Sequence, residues 1–347
     1  MAKRIGLLTG GGDAPGLNGI LEAAGRVLLR NQVELIGIED GFEGVFEGRH
    51  RRIELRDLEG IHQVAGTLLG TSNRSGTTGR EKEFAEKIAA LRLDGLLVAG
   101  GDGTFAALRQ ISTAMPGSVK IVGVPKTIDN DLSGTDVTFG YDTACSVIAD
   151  AVNSLRVSAE AHRRLMVVEV MGRTAGWLAL GGGMASYAEV ILVPELPFDR
   201  AGLLAFLREK QKSRRGLVIV VAEGATARGE DPTVAFTVEG SPEAVRLGGI
   251  GQKLARWIEH ETGWESRAVV LGHLQRSRHP TTTDCFLTAS MGVEAARMIL
   301  EGKWDHAAVY RGGTVVRAPI TDVMGPPRRI TDGHRWLELA RALGTFI

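Results

Sequence analysis

The chain has 347 residues, 44% of them hydrophobic and 24% charged, with 41 Lys plus Arg set against 41 Asp plus Glu. That length exceeds the usual span of one compact domain, so two α/β-sized domains are expected, and the composition excludes a disordered or fibrous chain. A net charge of +0 removes the long-range field on which nucleic-acid and anionic-membrane binding rely, so an anionic ligand has to meet a local basic cluster.

The first sixteen residues, MAKRIGLLTGGGDAPG, reach glycine and proline before an apolar leader core could form. No apolar run approaches the ~20 residues of a membrane span, so a cytoplasmic protein is expected. Short aliphatic runs ending in glycine or polar residues then alternate with helix-length amphipathic stretches, the pattern of parallel strands joined by crossover helices. Strands are predicted over 5–8, 33–38, 95–99, 120–124, 165–170, 190–193, 217–222, 268–271 and 307–310. Helices are predicted over 81–91, where Phe84, Ile88 and Leu91 share a face, and over 141–155, where Tyr141, Cys145, Ile148, Val152 and Leu155 do. Residues 224–249, rich in glycine, charge and proline, read as a surface excursion. Cys145 and Cys285 are the two cysteines, far apart and without metal-ligand spacing, and read as packing residues.

Two predicted strands run into glycine loops that open helices: Thr9-Gly10-Gly11-Gly12-Asp13 and Gly100-Gly101-Asp102-Gly103-Thr104. At the carboxyl ends of parallel strands such loops bring helix N-terminal amides and bare backbone to phosphate, and two of them suggest a polyphosphate. Either loop alone reads equally well as a capped helix and a tight turn. The second also fits G-x-G-x-x-A, but no acidic residue clearly ends the next strand, and no G-x-x-x-x-G-K-[ST] loop is present. Asp102 beside a phosphate calls for a magnesium ion between them. Next comes Pro125-Lys126-Thr127-Ile128-Asp129-Asn130-Asp131. Read as extended, it sends Thr127, Asp129 and Asp131 to one side, with Lys126 as counter-charge. Paired carboxylates suit a general base, although an isolated D-x-D is more commonly a turn. Downstream, Arg163, Arg164, Arg173, Glu223, Arg267, His273 and Arg276 flank strand ends, where guanidinium groups match phosphate oxygens.

With these residues in order, the chain resembles the 6-phosphofructokinase family, of phosphofructokinase A type, over nearly its whole length. The motifs that carry the resemblance run 8–18, 100–104, 125–131, 168–173 (Val-Glu-Val-Met-Gly-Arg) and 271–276 (Leu-Gly-His-Leu-Gln-Arg). It implies an α/β fold of two similar interleaved lobes, each a mostly parallel sheet flanked by helices. A phosphoryl-donor lobe would take residues 1–140 and about 275–325. A sugar-phosphate acceptor lobe, with the acceptor in the cleft, would take 141–274 and about 326–347. The implied reaction moves the γ-phosphoryl of ATP to the 1-hydroxyl of fructose 6-phosphate. Asp129 is the implied base, Asp102 the ligand of Mg2+, and Thr127 and Asp131 position the acceptor with Lys126 beside them. Gly11, Arg74, Gly101, Asp102, Gly103 and Thr104 face the donor. Met171, Gly172 and Arg173 line the sugar and transition-state side, and Glu223, His273 and Arg276 hold the sugar phosphate. Arg164 and Arg267 reach a neighbouring subunit's acceptor site, so a homo-oligomer, dimer or tetramer, is implied, with no nucleic-acid or membrane partner.

The chain departs from the family's pattern in places. Pyrophosphate-using relatives resemble it at Lys126 but carry aspartate where Gly103 stands, and Gly103 with Lys126 is similar to an ATP-using subgroup. Asn73 occupies the position of an arginine that reaches the transferring phosphate, and Arg74 replaces it only if the loop shifts. Ser277 and Arg278 follow Gln275-Arg276 where two glycines are usual, and Glu22 stands where effector-regulated relatives carry arginine. Three other readings compete: a pyrophosphate-dependent enzyme, an NAD or lipid kinase sharing Gly-Gly-Asp-Gly-Thr, and a catalytically silent sugar-phosphate or nucleotide sensor.

Overall fold

A computed structural model describes residues 3–72, 77–238 and 245–347. In chain order the strands are β1 (Arg4–Thr9), β2 (Glu34–Ile38), β3 (His50–Ile53), β4 (Gly95–Gly100), β5 (Ile121–Pro125), β6 (Leu165–Val170) and β7 (Val190–Leu192). They continue with β8 (Leu217–Ala222), β9 (Val234–Thr237), β10 (Val245–Leu247), β11 (Ser266–Val270), β12 (His306–Arg311) and β13 (Thr314–Pro319). The helices are α1 (Leu17–Arg30), α2 (Gly41–Glu47), α3 (Leu55–Leu58), α4 (Glu81–Ala90), α5 (Asp102–Ala114) and α6 (Tyr141–His162). After them come α7 (Trp177–Ala185), α8 (Arg200–Ser213), α9 (Ile250–Thr262), α10 (Leu274–Ser277), α11 (Thr282–Glu301) and α12 (Arg335–Ala342).

The chain divides into two compact units. One holds Met1–Ile128, Leu132–Thr143 and Arg276–Pro327, and the other holds Asp129–Asp131, Ala144–Gln275 and Arg328–Ile347. Each predicted strand stretch contains a strand, and both predicted helices form, the second extending to His162. The excursion over 224–249 contains the antiparallel pair β9 and β10. No helix among the described residues is long and apolar enough to cross a membrane.

In the first unit the sheet order is β13-β12-β5-β4-β1-β2-β3. Its parallel strands are covered on both faces, so their side chains divide by alternation. Ile5, Leu7, Leu97, Ala99, Val122 and Val124 join the core on one face, and Leu8, Leu96, Val98 and Ile121 join that on the other. From β1 the chain steps to β2 on one side, while β4 pairs with β1 on its other side. The strand order therefore reverses between β1 and β4, and crevices at the carboxyl ends of such reversals are where open α/β sheets bind ligands.

In the second unit the order is β11-β6-β8-β7, all parallel. Its core is built from Leu165, Val167, Leu192, Ile219 and Val221 packed by Leu203, Leu207, Leu254 and Ile258 of α8 and α9. From β6 the chain proceeds to β7 and back to β8, whereas β11 pairs on the far side of β6, so the reversal here lies between β6 and β11.

In the first unit α1 packs closely on α11, and glycine makes the approach possible. A Cβ at Gly292 would lie 2.8 Å from Ala23 Cβ and 3.1 Å from both Ala24 N and Ile20 O. Two of those neighbours are backbone and cannot move aside alone. Gly292→Ala is expected to cost roughly 1–3 kcal/mol by overpacking. This exceeds the gain of about 1 kcal/mol from helix propensity. A lower unfolding midpoint by circular dichroism is the expected result.

Candidate active site

In the first unit three strand ends meet side by side. Thr9 of β1 pairs with Ala99 of β4, and Gly100 of β4 pairs with Pro125 of β5. The ladder continues into the loops, where Gly10 N donates to Ala99 O at 2.9 Å and Lys126 N donates to Gly100 O at 2.8 Å. Thr104 fills the space beneath, because a Cβ at Gly10 would lie 2.7 Å from its Oγ1 and one at Gly100 would lie 2.4 Å from its Cγ2. Gly11 holds φ +79°, a left-handed value that favours glycine, and a Cβ there would stand 3.1 Å from Lys126 Nζ. Lys126 is buried at 3% exposure, and its ammonium donates to the Gly12 carbonyl. Gly11, Gly101, Thr104 and Lys126 are thus gathered at one sheet edge. Asp102 is exposed at the start of α5 and accepts from Gly103 N at 2.7 Å. A Cβ added at Gly103 would meet nothing within 4 Å. Beside it opens a groove of about 730 Å³ lined by Thr78, Asp102, Gly103, Arg109, Gln110 and Met324.

Two features were not read from the motifs, one at Arg276 in this unit and one in the segment that follows β5. The Arg276 guanidinium donates to the Asp13 carbonyl at 2.6 Å, on the loop after β1. The segment after β5 is not extended throughout: Asn130 holds φ +54°, so the alternation argument for Thr127, Asp129 and Asp131 sharing one face fails there. The strand ends at Pro125, and Thr127 offers its carbonyl to Thr138 Oγ1 at 2.7 Å. Asn73 and Arg74 lie outside the described residues. Glu22 is buried, accepts from the amides of Gly60 and His62, and pairs with His62 Nδ1 at 2.8 Å and Arg26 at 2.7 Å. Burial pushes its carboxyl up, but the hydrogen bonds from His62 and Gly60 outweigh it and hold the group below its ordinary range. Its role is to fasten the segment after α3 to α1.

In the second unit Val170 of β6 pairs with Ala222 of β8, and Glu223 N donates to Val170 O at 2.9 Å. This sets Glu223 beside the turn of Met171, Gly172 and Arg173. Gly172 has φ +132°, and a Cβ there would lie 2.4 Å from Ala175 O. Arg173, with φ +52°, turns its amide onto Glu223 Oε1 at 2.8 Å. On the other side of β6, Leu271 N donates to Glu169 O at 3.0 Å, and the exposed His273 follows. Asp129 is buried at 7% exposure and its charge acts on Glu223.

Arg164 and Arg267 are not at this edge. Arg164 precedes β6, and Arg267 pairs with Met166 near its start, so both lie at the amino ends of the strands. The six residues of β6 separate Arg164 from Met171, roughly 20 Å at about 3.3 Å per residue, and Arg267, level with Met166, stands about two residues nearer. Both pair with Glu265, at 2.8 Å and 2.5 Å.

Sequence reasoning assigned no role to Glu169, a buried carboxylate inside the otherwise apolar run Leu-Met-Val-Val-Glu-Val. It accepts from Gly249 N at 2.9 Å and Gly251 N at 2.7 Å, binding the first turn of α9 to the sheet. A charge in a strand buried on both faces was the available signal.

A family model described as Phosphofructokinase matches residues 4–299. The chain belongs to the phosphofructokinase family. It is 36% identical to the ATP-dependent 6-phosphofructokinase 2 of Clostridium perfringens, covering 99% of this chain and 97% of that one. It is 39% identical to the pyrophosphate–fructose 6-phosphate 1-phosphotransferase of Amycolatopsis methanolica, covering 95% and 98%. A crystal structure of Pichia pastoris phosphofructokinase in the T-state superposes with TM-score 0.82 at 28% identity, covering 93% of this chain. The chain spans 35% of that longer one.

Glu223 provides a pH test. Burial first, then the charges of Asp129 and Glu169, raise its pKa to about 7, against the lowering effect of the Arg173 and Gly172 amides. A carboxyl whose pKa is higher folded than unfolded contributes its full stability below the unfolded value and loses it as pH rises through about 7. Glu223→Gln, neutral throughout, should match the parent's thermal midpoint near pH 5 and exceed it near pH 8.

Proposed function

We propose that this phosphofructokinase transfers the γ-phosphoryl group of ATP to the 1-hydroxyl of fructose 6-phosphate, giving fructose 1,6-bisphosphate. The observation that carries the donor side is the convergence of two glycine loops and the buried Lys126 ammonium at a strand-order reversal. Bare backbone amides and a fixed cation at that point favour the oxygens of a polyphosphate. Identity does not choose between ATP and pyrophosphate, because the Clostridium enzyme named for one and the Amycolatopsis enzyme named for the other stand at 36% and 39%. ATP is supported by Gly103, which adds no side chain to a groove large enough for a nucleoside.

The residues support a division of labour. Asp129, buried next to the strand-end turn of the second unit, would take the proton of the attacking hydroxyl. Thr127 and Asp131 would orient the acceptor, and Arg173 would offset charge on the transferring group. Met171, Gly172, Glu223 and His273 would receive the sugar. Arg276, held on the Asp13 carbonyl, is as well placed to serve the donor loop as the sugar phosphate. Asp102 suits magnesium, since that ion is commonly held by one or two carboxylates together with substrate phosphates, and the rest of its shell need not be protein. When bound it would neutralise donor phosphate charge. The position of Arg164 and Arg267 at the opposite strand ends supports their serving another subunit's acceptor phosphate in a homo-oligomer.

Asp129→Ser should lower kcat by about 10²–10⁴-fold while fructose 6-phosphate still binds, by calorimetry. Equal loss of binding would remove Asp129 from the base role. Gly103→Asp, which the open space accommodates, should leave the melting midpoint unchanged and lower kcat/KM for ATP by at least about tenfold. Unchanged ATP turnover, or parent turnover with pyrophosphate alone, would reverse the donor assignment.

A further inference from the structure

Arg328 is outside every motif that carries the family resemblance, yet within the second unit it holds the Asp129–Asp131 segment in three ways. Its amide donates to Asp131 O at 2.6 Å. Its guanidinium donates to Asn130 O from Nη2 at 2.8 Å and from Nε at 3.3 Å. The same guanidinium lies 4.8 Å from the Trp177 ring centroid, while the Trp177 indole N–H donates back to Arg328 O at 2.9 Å. Trp177 is buried and clamped edge-on by His334 and Trp336 at 5.2 and 6.2 Å.

Trp177 opens α7 directly after the Met171–Gly176 turn, so one side chain touches both the segment that carries the base and the element that ends the sugar-side turn. Glu195 repeats the link, accepting from Gly176 N at 3.0 Å and from Ile330 N at 3.1 Å. The tie matters because Asn130 is buried with φ +54°, a left-handed turn that asparagine tolerates better than other side-chain residues, and the direction of its carbonyl sets the peptide that follows Asp129. A planar donor fork on the Asn130 carbonyl sets the orientation of the peptide next to Asp129. Lysine cannot reproduce both the fork and the stacking.

We propose that Arg328 is a positioning residue for catalysis: by fixing the Asn130 turn and stacking on Trp177, it sets Asp129 in register with the Arg173 turn. This rests on Asp129 being the base. Arg328 touches no substrate in this scheme, so its loss should appear in kcat and not in donor binding.

The test uses the full-length enzyme with ATP, magnesium and fructose 6-phosphate, comparing Arg328→Ala, Arg328→Lys, Asp129→Ser and the double variant Arg328→Ala/Asp129→Ser. The expected result is a fall in kcat of about ten- to a hundredfold for Arg328→Ala. KM for ATP and the melting midpoint should stay close to the parent's, and Arg328→Lys should recover only part of the loss. Millimolar guanidinium ion should restore part of the activity of Arg328→Ala and leave the parent unaffected. In the double variant the two losses should not add, since Arg328 acts through Asp129. Parent-like kcat in either single Arg328 variant, full additivity, or a loss that tracks the unfolded fraction and ignores guanidinium would overturn the inference. Should Arg328→Ala not fold, Arg328→Lys decides by its kcat alone. A parent inactive with both ATP and pyrophosphate would instead sink the functional reading, and this inference with it.

Discussion

A buried ammonium at the end of a parallel strand sets the terms for the first unit. Taking Lys126 out of water costs several kcal/mol unless oxygens surround it. The Gly12 carbonyl supplies one, and this draws the loop after β1 across the end of β5. Once Nζ is there, a side chain at Gly11 would crowd it, and the positive φ of Gly11 itself favours glycine. Thr104 then has to fill the space under Gly10 and Gly100, which ties the start of α5 to both loops. The glycine-rich sequence is the consequence of packing a cation and a helix start against bare backbone. An anion attracted there meets a preorganised surface and requires little rearrangement.

The second unit has the opposite electrostatic problem. Burial first, and then the charges of Asp129 and Glu169, make Glu223 hold its proton to about pH 7. The amides of Gly249, Gly251 and Arg173 satisfy carboxylate oxygens, but they bring no net positive charge. The chain's own Arg164 and Arg267 stand at the far ends of β6 and β11, paired with Glu265. Arg173 is a cation that this edge itself offers, and in the proposed reaction a second subunit presenting Arg164 and Arg267 would add two more for a phosphorylated acceptor.

Much of this was legible in the primary structure because parallel strands buried on both faces write themselves as short aliphatic runs. The strands that were not anticipated lack that signature. β3 reads His-Arg-Arg-Ile at a sheet edge, where charge guards against unwanted pairing. β13 returns from β12 through Gly312-Gly313, both at positive φ, a hairpin signal that nine stronger runs obscured. β9 is exposed along its length and carries no burial pattern to read. At the site, the left-handed Asn130 agrees with the reading of Asp-Asn-Asp as a turn, whereas the Asp13 contact of Arg276 arises from a tertiary partner that no local motif encodes. Arg328 was invisible for the same reason: a lone arginine near the C-terminus resembles a surface charge until Asn130 and Trp177 are seen beside it.

The donor question turns on how much weight each of two residues can bear. The family resemblance associates a lysine at Lys126 with pyrophosphate use, but here its ammonium donates to the Gly12 carbonyl at the close approach of two loops. That role is needed whichever polyphosphate binds, so Lys126 carries little information about the donor. Gly103 differs in kind. It has ordinary φ and open space above its Cα, so neither strain nor packing in the described structure demands glycine there. A glycine with no structural reason at the rim of a groove of about 730 Å³ is best explained by what occupies the groove. The groove has room for a nucleoside, which pyrophosphate lacks, so the unforced glycine is the stronger of the two markers.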